Sequence, residues 1–346
     1  MSTSARHTGV REPAERGGDH MTHDTIPQWS GQVGRPTPAV SGFPSGAPGE
    51  CERDMRRSLS ARITRAASKQ AYFTVRFLVD RDRKLNAYRA YAYFRWVDDQ
   101  LDQGLSDPYE RRVFVERQQA LVDAGYRSVL WSGLEPEERM LTDLIASDHS
   151  DHDERSGLRL YIRHMMAVMA FDAQRRGRLI AGRELDEYTR HLAIAVTEAL
   201  HYFIGHDDTP TPSETRYLPA MAAHITHMLR DTFEDVAAGY FNAPRELLES
   251  ARIAPDDVTS APYHDWVRNR VRLARGYFEA GARYLDRVKS LRCRIAGYAY
   301  MARFLGILDA IERDEYQLRP VYPEFKRVGY GMRAGAWVCA HALRGW

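Results

Sequence analysis

From about residue 58 to residue 345, apolar residues recur at the three- and four-residue intervals of a helix face. The periodic stretches run roughly 59–79, 83–104, 108–125, 135–149, 154–176, 183–205, 213–240, 264–289, 292–315 and 324–343. Turn-forming residues punctuate them at Trp131-Ser132-Gly133, from Gly205 to Ser213, from Ile253 to Pro262 and from Leu318 to Pro323. Alternating runs of strand type are absent, and no repeat of fixed period is found. The pattern predicts one all-α bundle over residues 58–346 with a central cavity. Residues 1–57 differ, being rich in Pro, Gly, Ser, Thr and Arg and poor in aliphatics. Such a segment cannot bury enough apolar surface to offset its ordering entropy, so a disordered tail is predicted there. It also lacks the continuous apolar stretch of a secretory signal.

Two polar stripes interrupt the apolar pattern. Tyr91, Arg95, Asp98 and Asp102 follow the rhythm of a single helix face, and His224, His227, Asp231 and Asp235 repeat it. Both are framed by large apolar residues, among them Phe94, Trp96, Ile225, Met228 and Phe233. Within each stripe two aspartates stand four residues apart, stacked on one side of the helix. Like charges placed on a core-facing side are costly unless a cation neutralises them. Two such pairs facing each other predict a cage for hard divalent cations, most naturally Mg2+.

Composition narrows the remaining classes. With 346 residues, 49 Lys and Arg against 47 Asp and Glu and a formal charge of +2, the chain shows no nucleic-acid footprint. Cys51, Cys293 and Cys339 are far apart, which argues against a disulfide framework or cysteine-rich zinc site and fits a reducing cytoplasm. No apolar stretch approaches the roughly 18 residues of a membrane span. The apolar segment from Gly335 to Leu343 reads as a docking helix, with peripheral membrane association the most it would support.

The stripes resemble the signatures of the squalene/phytoene synthase family. That family's first signature, Tyr-x-x-x-Arg-x-x-Asp-Asp-x-x-Asp, is met at every specified position from Tyr91 to Asp102. The acidic half of the second is met by Arg230-Asp231-Thr232-Phe233-Glu234-Asp235. Further similarity covers Ser68-Lys69 through Leu78, Asp172, Tyr188 and Ile307 to Arg313, so that it spans about 65 to 320. The resemblance implies the family's all-α isoprenoid synthase bundle. By it, Asp98, Asp102, Asp231 and Asp235 would hold Mg2+ ions bridging an allylic prenyl diphosphate, with Arg95, Arg230 and Lys69 on the phosphate oxygens. Tyr91 and Tyr188 would be catalytic, and Trp96, Met165, Met166, Met169 and Phe171 would keep water from the allylic cation.

Where the sequence departs from the family, it points to a particular acceptor. His224 and His227 stand where head-to-head synthases have Gln and Asn, and Val236 to Pro244 contains no basic residue. Phe304 replaces a family Tyr, and Ile194 and Thr197 replace small residues after Tyr188. These changes imply a site for one diphosphate, a shortened tunnel and a short, dimethylallyl-type donor. The acceptor would be a small aromatic, carbazole-like ring, with His224, His227, Glu198 and His201 as base or acceptor contacts. Head-to-head condensation with a second prenyl diphosphate, giving a squalene-, dehydrosqualene- or phytoene-type hydrocarbon, stays open beside it. Glu198-x-x-His201 with His224-x-x-His227 also suggests a di-iron bundle, but only one Glu-x-x-His is present.

Overall fold

Each periodic stretch contains helix, and among the described residues there is no strand. The computed structural model describes residues 58–129, 131–148, 156–205, 213–323 and 328–343. The tail expected over residues 1–57 lies outside them. In chain order the helices are α1 (Leu59–Ala67), α2 (Lys69–Leu78), α3 (Lys84–Asp99), α4 (Pro108–Tyr126), α5 (Pro136–Ala146), α6 (Gly157–Arg175) and α7 (Gly182–Phe203). They continue with α8 (Leu218–Arg230), α9 (Thr232–Ala237), α10 (Arg245–Ala251), α11 (Ala261–Leu285), α12 (Leu291–Arg313) and α13 (Val328–Ala342).

Three breaks were not expected from periodicity. The stretch 59–79 is split at Ser68, which adopts extended backbone and caps α2 by accepting from the Ala71 N–H at 3.1 Å. At the end of α3 the helix widens into a π turn, Gln100–Gly104, closed by Leu105 N donating to Gln100 O at 2.9 Å. Such widened turns recur at functional sites. Between α8 and α9 the helix bends at Asp231, where the Thr232 hydroxyl bonds back to Met228 O at 2.8 Å and competes with the backbone ladder. The helix α10 is also an addition, because a seven-residue segment carries too little periodicity to read.

α6 and α7 form the most extensive helix pair, followed by α8 with α11. α3 is fixed against α4 and α5 by a buried relay: Tyr93 OH donates to Gln118 (3.0 Å) and Gln118 Nε2 donates to Glu138 (2.9 Å). The α8–α11 approach depends on Gly281, where a Cβ would stand 2.7 Å from Pro219 Cδ and 3.1 Å from Pro219 N. Backbone cannot yield as a side chain can. Gly281→Ala is therefore expected to destabilise by about 1–3 kcal/mol, read as a lower thermal midpoint. Trp337 of α13 packs on Tyr298 of α12 at a centroid distance of 5.6 Å, so this helix docks on the bundle. Among the described residues no helix is long and apolar enough to cross a membrane.

Candidate active site

A cavity of about 440 Å³ runs between α2, α3, α6, α7, α8, α9 and α12. At one end stand five aspartates, Asp98, Asp102, Asp172, Asp231 and Asp235, together with Glu234. Away from them the wall is apolar, with Val75, Val79, Met165, Val168, Leu192 and Phe203 among its residues. Its polarity is thus divided lengthwise, with charge at one end and hydrocarbon beyond.

The geometry explains how so many carboxylates share one space. Asp98 is buried, 3% exposed, and its Oδ2 has no hydrogen-bond partner, with the nearest cation Arg95 Nη1 at 3.6 Å. Burial and then the neighbouring Asp102 push its carboxyl well above the usual carboxylate range. The π turn carries Asp102, to which Tyr240 OH donates at 3.0 Å. Burial raises Asp102 to about 6. Across the cavity, Arg230 grips Asp231 with two bonds of 2.6 and 2.7 Å, and His227 Nε2 lies 3.1 Å away. Despite burial, His227 and Arg230 hold Asp231 below its ordinary value. Asp235 keeps its place one turn on, its N–H donating to Asp231 O at 2.8 Å across the bend. Burial and Asp231 raise it to about 8.

Two elements that the sequence reading passed over tie these motifs together. Arg175, near the end of α6, donates to Asp172 at 2.8 Å and to Asn242 at 2.9 Å. Its guanidinium lies over the rings of Tyr188 (4.8 Å) and Tyr240 (5.0 Å). Asn242 in turn donates to Asp235 at 2.7 Å, and Tyr188 OH donates to Asp172 at 3.1 Å. The loop after the second motif was expected to have lost its contribution because it lacks basic residues. Instead its Tyr240 reaches the first aspartate pair and its Asn242 the second. The cation at that place comes from another helix.

Most of the expected polar residues do line the cavity: Tyr91, Tyr188, His224 and His227 with the four motif aspartates. Burial makes Tyr91 harder to ionise, opposed by the nearby Arg95 and by Ser68 at the α1–α2 break. His224 faces Tyr188 edge-on at 5.0 Å, and its Nε2 is buried without a hydrogen-bond partner. Burial pushes His224 far down and His227 to about 4, so both are neutral near pH 7. Arg95 and Arg230 stand behind the aspartates they pair with, Arg95 also bonding Asp99.

Other expected contacts lie elsewhere. Glu198 is held by Arg216 and by Tyr217 OH at 2.7 Å, facing away from the cavity. His201 contacts Tyr284 OH at 2.9 Å and Cys293 Sγ at 3.6 Å. Trp96 packs edge-on against Phe114, Met169 is fully buried in the core, and Phe171 stacks behind Tyr188 at 4.9 Å. Lys69 is exposed at the start of α2, where its neighbour Gln70 lines the cavity. Ile194 and Thr197 are buried but do not line it, so they cannot shorten it. The wall of α7 is built by Tyr188, Leu192, Val196, Ala199 and Phe203, a stripe at three- and four-residue spacing that leaves positions 194 and 197 on other faces. Phe304, which replaces the family Tyr, lines the wall, and so does Tyr300 one turn earlier.

The donor set is hard oxygen, with an orphaned carboxylate oxygen at its centre, and suits a small divalent cation. Among the described residues no three acidic, His or Cys side chains form a closed ligand set. Mg2+ does not need one, because it is bound through one or two carboxylates and completed by water and substrate phosphate. A pH dependence follows. A carboxylate raised on folding stabilises the fold below its unfolded value and loses that contribution as pH rises through its folded one. As pH rises from about 7.5 through 8 most histidines have lost their protons in both states, leaving Asp235 as the titrating group named here with a folded value of about 8. The metal-free protein is expected to lose thermal stability across that window, Asp235→Asn to flatten the loss, and Mg2+ to reverse it.

Comparison with known proteins agrees with this architecture. The squalene/phytoene synthase family model matches residues 64–328. A 15-cis-phytoene synthase from Synechocystis sp. is 28% identical over 199 residues, covering 52% of this chain; the match spans 58% of that relative's length. The squalene synthase HpnC from Alicyclobacillus acidocaldarius superimposes with a TM-score of 0.58 at 20% identity, covering 79% of this chain and 98% of that one. At that identity the structural match speaks for the fold. With the family model covering the cavity and both aspartate motifs, the chain belongs to the squalene/phytoene synthase family of prenyltransferases.

Proposed function

We propose that the chain ionises an allylic prenyl diphosphate with the help of Mg2+ and joins it head to head with a second prenyl diphosphate, giving a squalene- or phytoene-type hydrocarbon. The observation that carries this is the lengthwise division of the cavity. Along α7 its lining runs from Tyr188 to Phe203, about 22 Å at 1.5 Å per residue. A five-carbon chain would leave most of such a wall empty, whereas a chain of several isoprene units would cover it.

Asp98, Asp102, Asp231 and Asp235 would hold Mg2+, which when bound supplies positive charge to the leaving pyrophosphate. Arg95, Arg230 and Arg175 would add fixed cations around it. The first C–O bond breaks with its electron pair leaving on pyrophosphate, and the double bond of the second substrate attacks the allylic carbon with loss of one proton. The second diphosphate then leaves in its turn. Loss of a second proton gives a dehydrosqualene- or phytoene-type hydrocarbon, whereas a squalene-type product would instead take a hydride from a reduced nicotinamide cofactor. Tyr188 and the apolar wall exclude water from the cation. The protons lost would pass to a neutral base, a role supported for His224 by its buried Nε2 without a hydrogen-bond partner.

A second reading is transfer to a small aromatic acceptor, supported by His224 and His227 at the cavity wall and by the absence of a basic residue from Val236 to Pro244. Incubation with Mg2+ and farnesyl or geranylgeranyl diphosphate alone separates the two. A C30 or C40 hydrocarbon supports condensation; pyrophosphate release that requires an added aromatic ring overturns it.

A further inference from the structure

Tyr188 stands at the aspartate end of α7, bonded to Asp172, and Phe203 lies about four turns further on. There the cavity is closed by Val79, Phe203 and Ile204, all buried. The backbone around these three residues is held by polar bonds that the chemistry at the other end does not use. Leu78 O, just before Val79, accepts from Arg292 Nη1 at 3.1 Å, and Asp80 N, just after it, donates to Phe203 O at 2.9 Å. Gly205 N, just after Ile204, donates to Asp80 Oδ2 at 3.0 Å. The other carboxylate oxygen of Asp80 pairs with Arg292. One buried carboxylate thus ties the end of α2 to the end of α7 and to the start of α12. Gly205 takes the left-handed turn that ends α7, at φ 65°, and a Cβ there would stand 2.9 Å from Cβ of Ser290, the cap of α12. The three segments meet without slack.

We propose that Asp80 is a positioning residue for the closed end of the cavity: by joining Gly205 to Arg292 it fixes Val79, Phe203 and Ile204, and so sets the longest prenyl chain the site accepts. Apolar contact is non-directional and on its own would let these side chains slide apart for a longer guest. Hydrogen bonds are directional and hold the ends of α2 and α7 and the start of α12 at one separation. A chain too long for a wall held in this way loses the burial of whatever does not fit. That the guest is a prenyl chain rests on the proposed function; the clasp does not.

The test is the affinity of the full chain, with Mg2+, for prenyl thiolodiphosphates of the C10, C15, C20 and C25 series, whose C–S link resists ionisation, measured by calorimetry. Wild-type affinity is expected to rise with length up to one member of the series and to fall at the next by about tenfold or more. Asp80→Ala and Arg292→Ala are expected to move that fall to a longer member, and Phe203→Ala, which removes part of the wall itself, to do the same. A merely structural role would weaken every length alike and leave the fall where it was. A fall that stays at the wild-type length in Asp80→Ala overturns the proposal; should that variant not fold, Arg292→Ala, a change at an exposed side chain, decides in the same way. Wild-type affinity that keeps rising through C25, or a fall that Phe203→Ala leaves in place, overturns it too. If the analogues follow this length profile but no prenyl diphosphate is ionised, the proposed function falls and the clasp stands. Absence of binding at every length overturns both.

Discussion

Asp98→Asn is expected to remove nearly all Mg2+-dependent pyrophosphate release while leaving the metal-free fold as stable as before or more so. The two effects share one cause. Asp98 is buried beside Asp102, with an oxygen that nothing in the protein satisfies and a carboxyl held well above its ordinary range. A group in that state costs the fold whenever it must ionise, and an amide of the same shape does not. The stability gain should be about 0.5–2 kcal/mol and grow with pH. Catalysis pays the opposite penalty, because the amide cannot supply the negative charge that holds a cation against the diphosphate. Loss of one such preorganised group costs about 10²–10³-fold in rate. Thermal unfolding with and without Mg2+ checks the first half, since the wild-type midpoint should rise on adding metal more than that of the variant. Turnover of the variant near the wild-type rate would refute the cage.

Much of this site was legible before the fold was known, and the reason is local. Helices, their approximate bounds and the stacking of Asp98 over Asp102 depend on spacing along one element. The face of α7 was equally legible: Tyr188, Leu192, Val196, Ala199 and Phe203 form a stripe, and counting from Tyr188 would have placed Ile194 and Thr197 off it. Reading those two as tunnel walls misapplied a rule the sequence obeys. The contacts of Tyr240 and Asn242 were hidden for a different cause. They depend on a loop crossing to helices far away in sequence, with Tyr240 bonding a residue 138 positions earlier. No spacing rule reaches that far. Arg175 was hidden for another reason: it stands three residues after Asp172 on one helix face, but in sequence it is one arginine of a basic run, Arg175-Arg176-Gly177-Arg178, and would pass as a solvated charge. The turn after α6, where Gly177 N donates to Gly239 O at 2.7 Å, ties the loop that carries Tyr240 and Asn242 to the end of this helix.

Arg175 is accordingly the residue whose replacement should be most revealing. It is buried, 7% exposed, and is bonded to Asp172 and Asn242 inside a shell of carboxylates and aromatic rings that holds its proton more tightly than usual. Arg175→Met strands Asp172, and breaking a buried pair from one side costs about 3–5 kcal/mol. It also releases Asn242 and so loosens Asp235, which should raise the Mg2+ concentration needed for pyrophosphate release as well as lower its rate. Folding loss alone would lower activity without changing the metal requirement. Arg175→Lys keeps the charge but not the planar fork that serves Asp172 and Asn242 together, so it is expected to fold and still show the shifted Mg2+ dependence. The double variant Asp172→Asn/Arg175→Met decides between structure and chemistry. Removing both partners of a buried pair is far cheaper than removing one, so its thermal midpoint should recover most of the loss. If pyrophosphate release stays low when stability has returned, Arg175 acts on the diphosphate end of the cavity. If release returns with stability, the arginine merely neutralises Asp172, and the cation missing from the loop after the second motif has no replacement in α6.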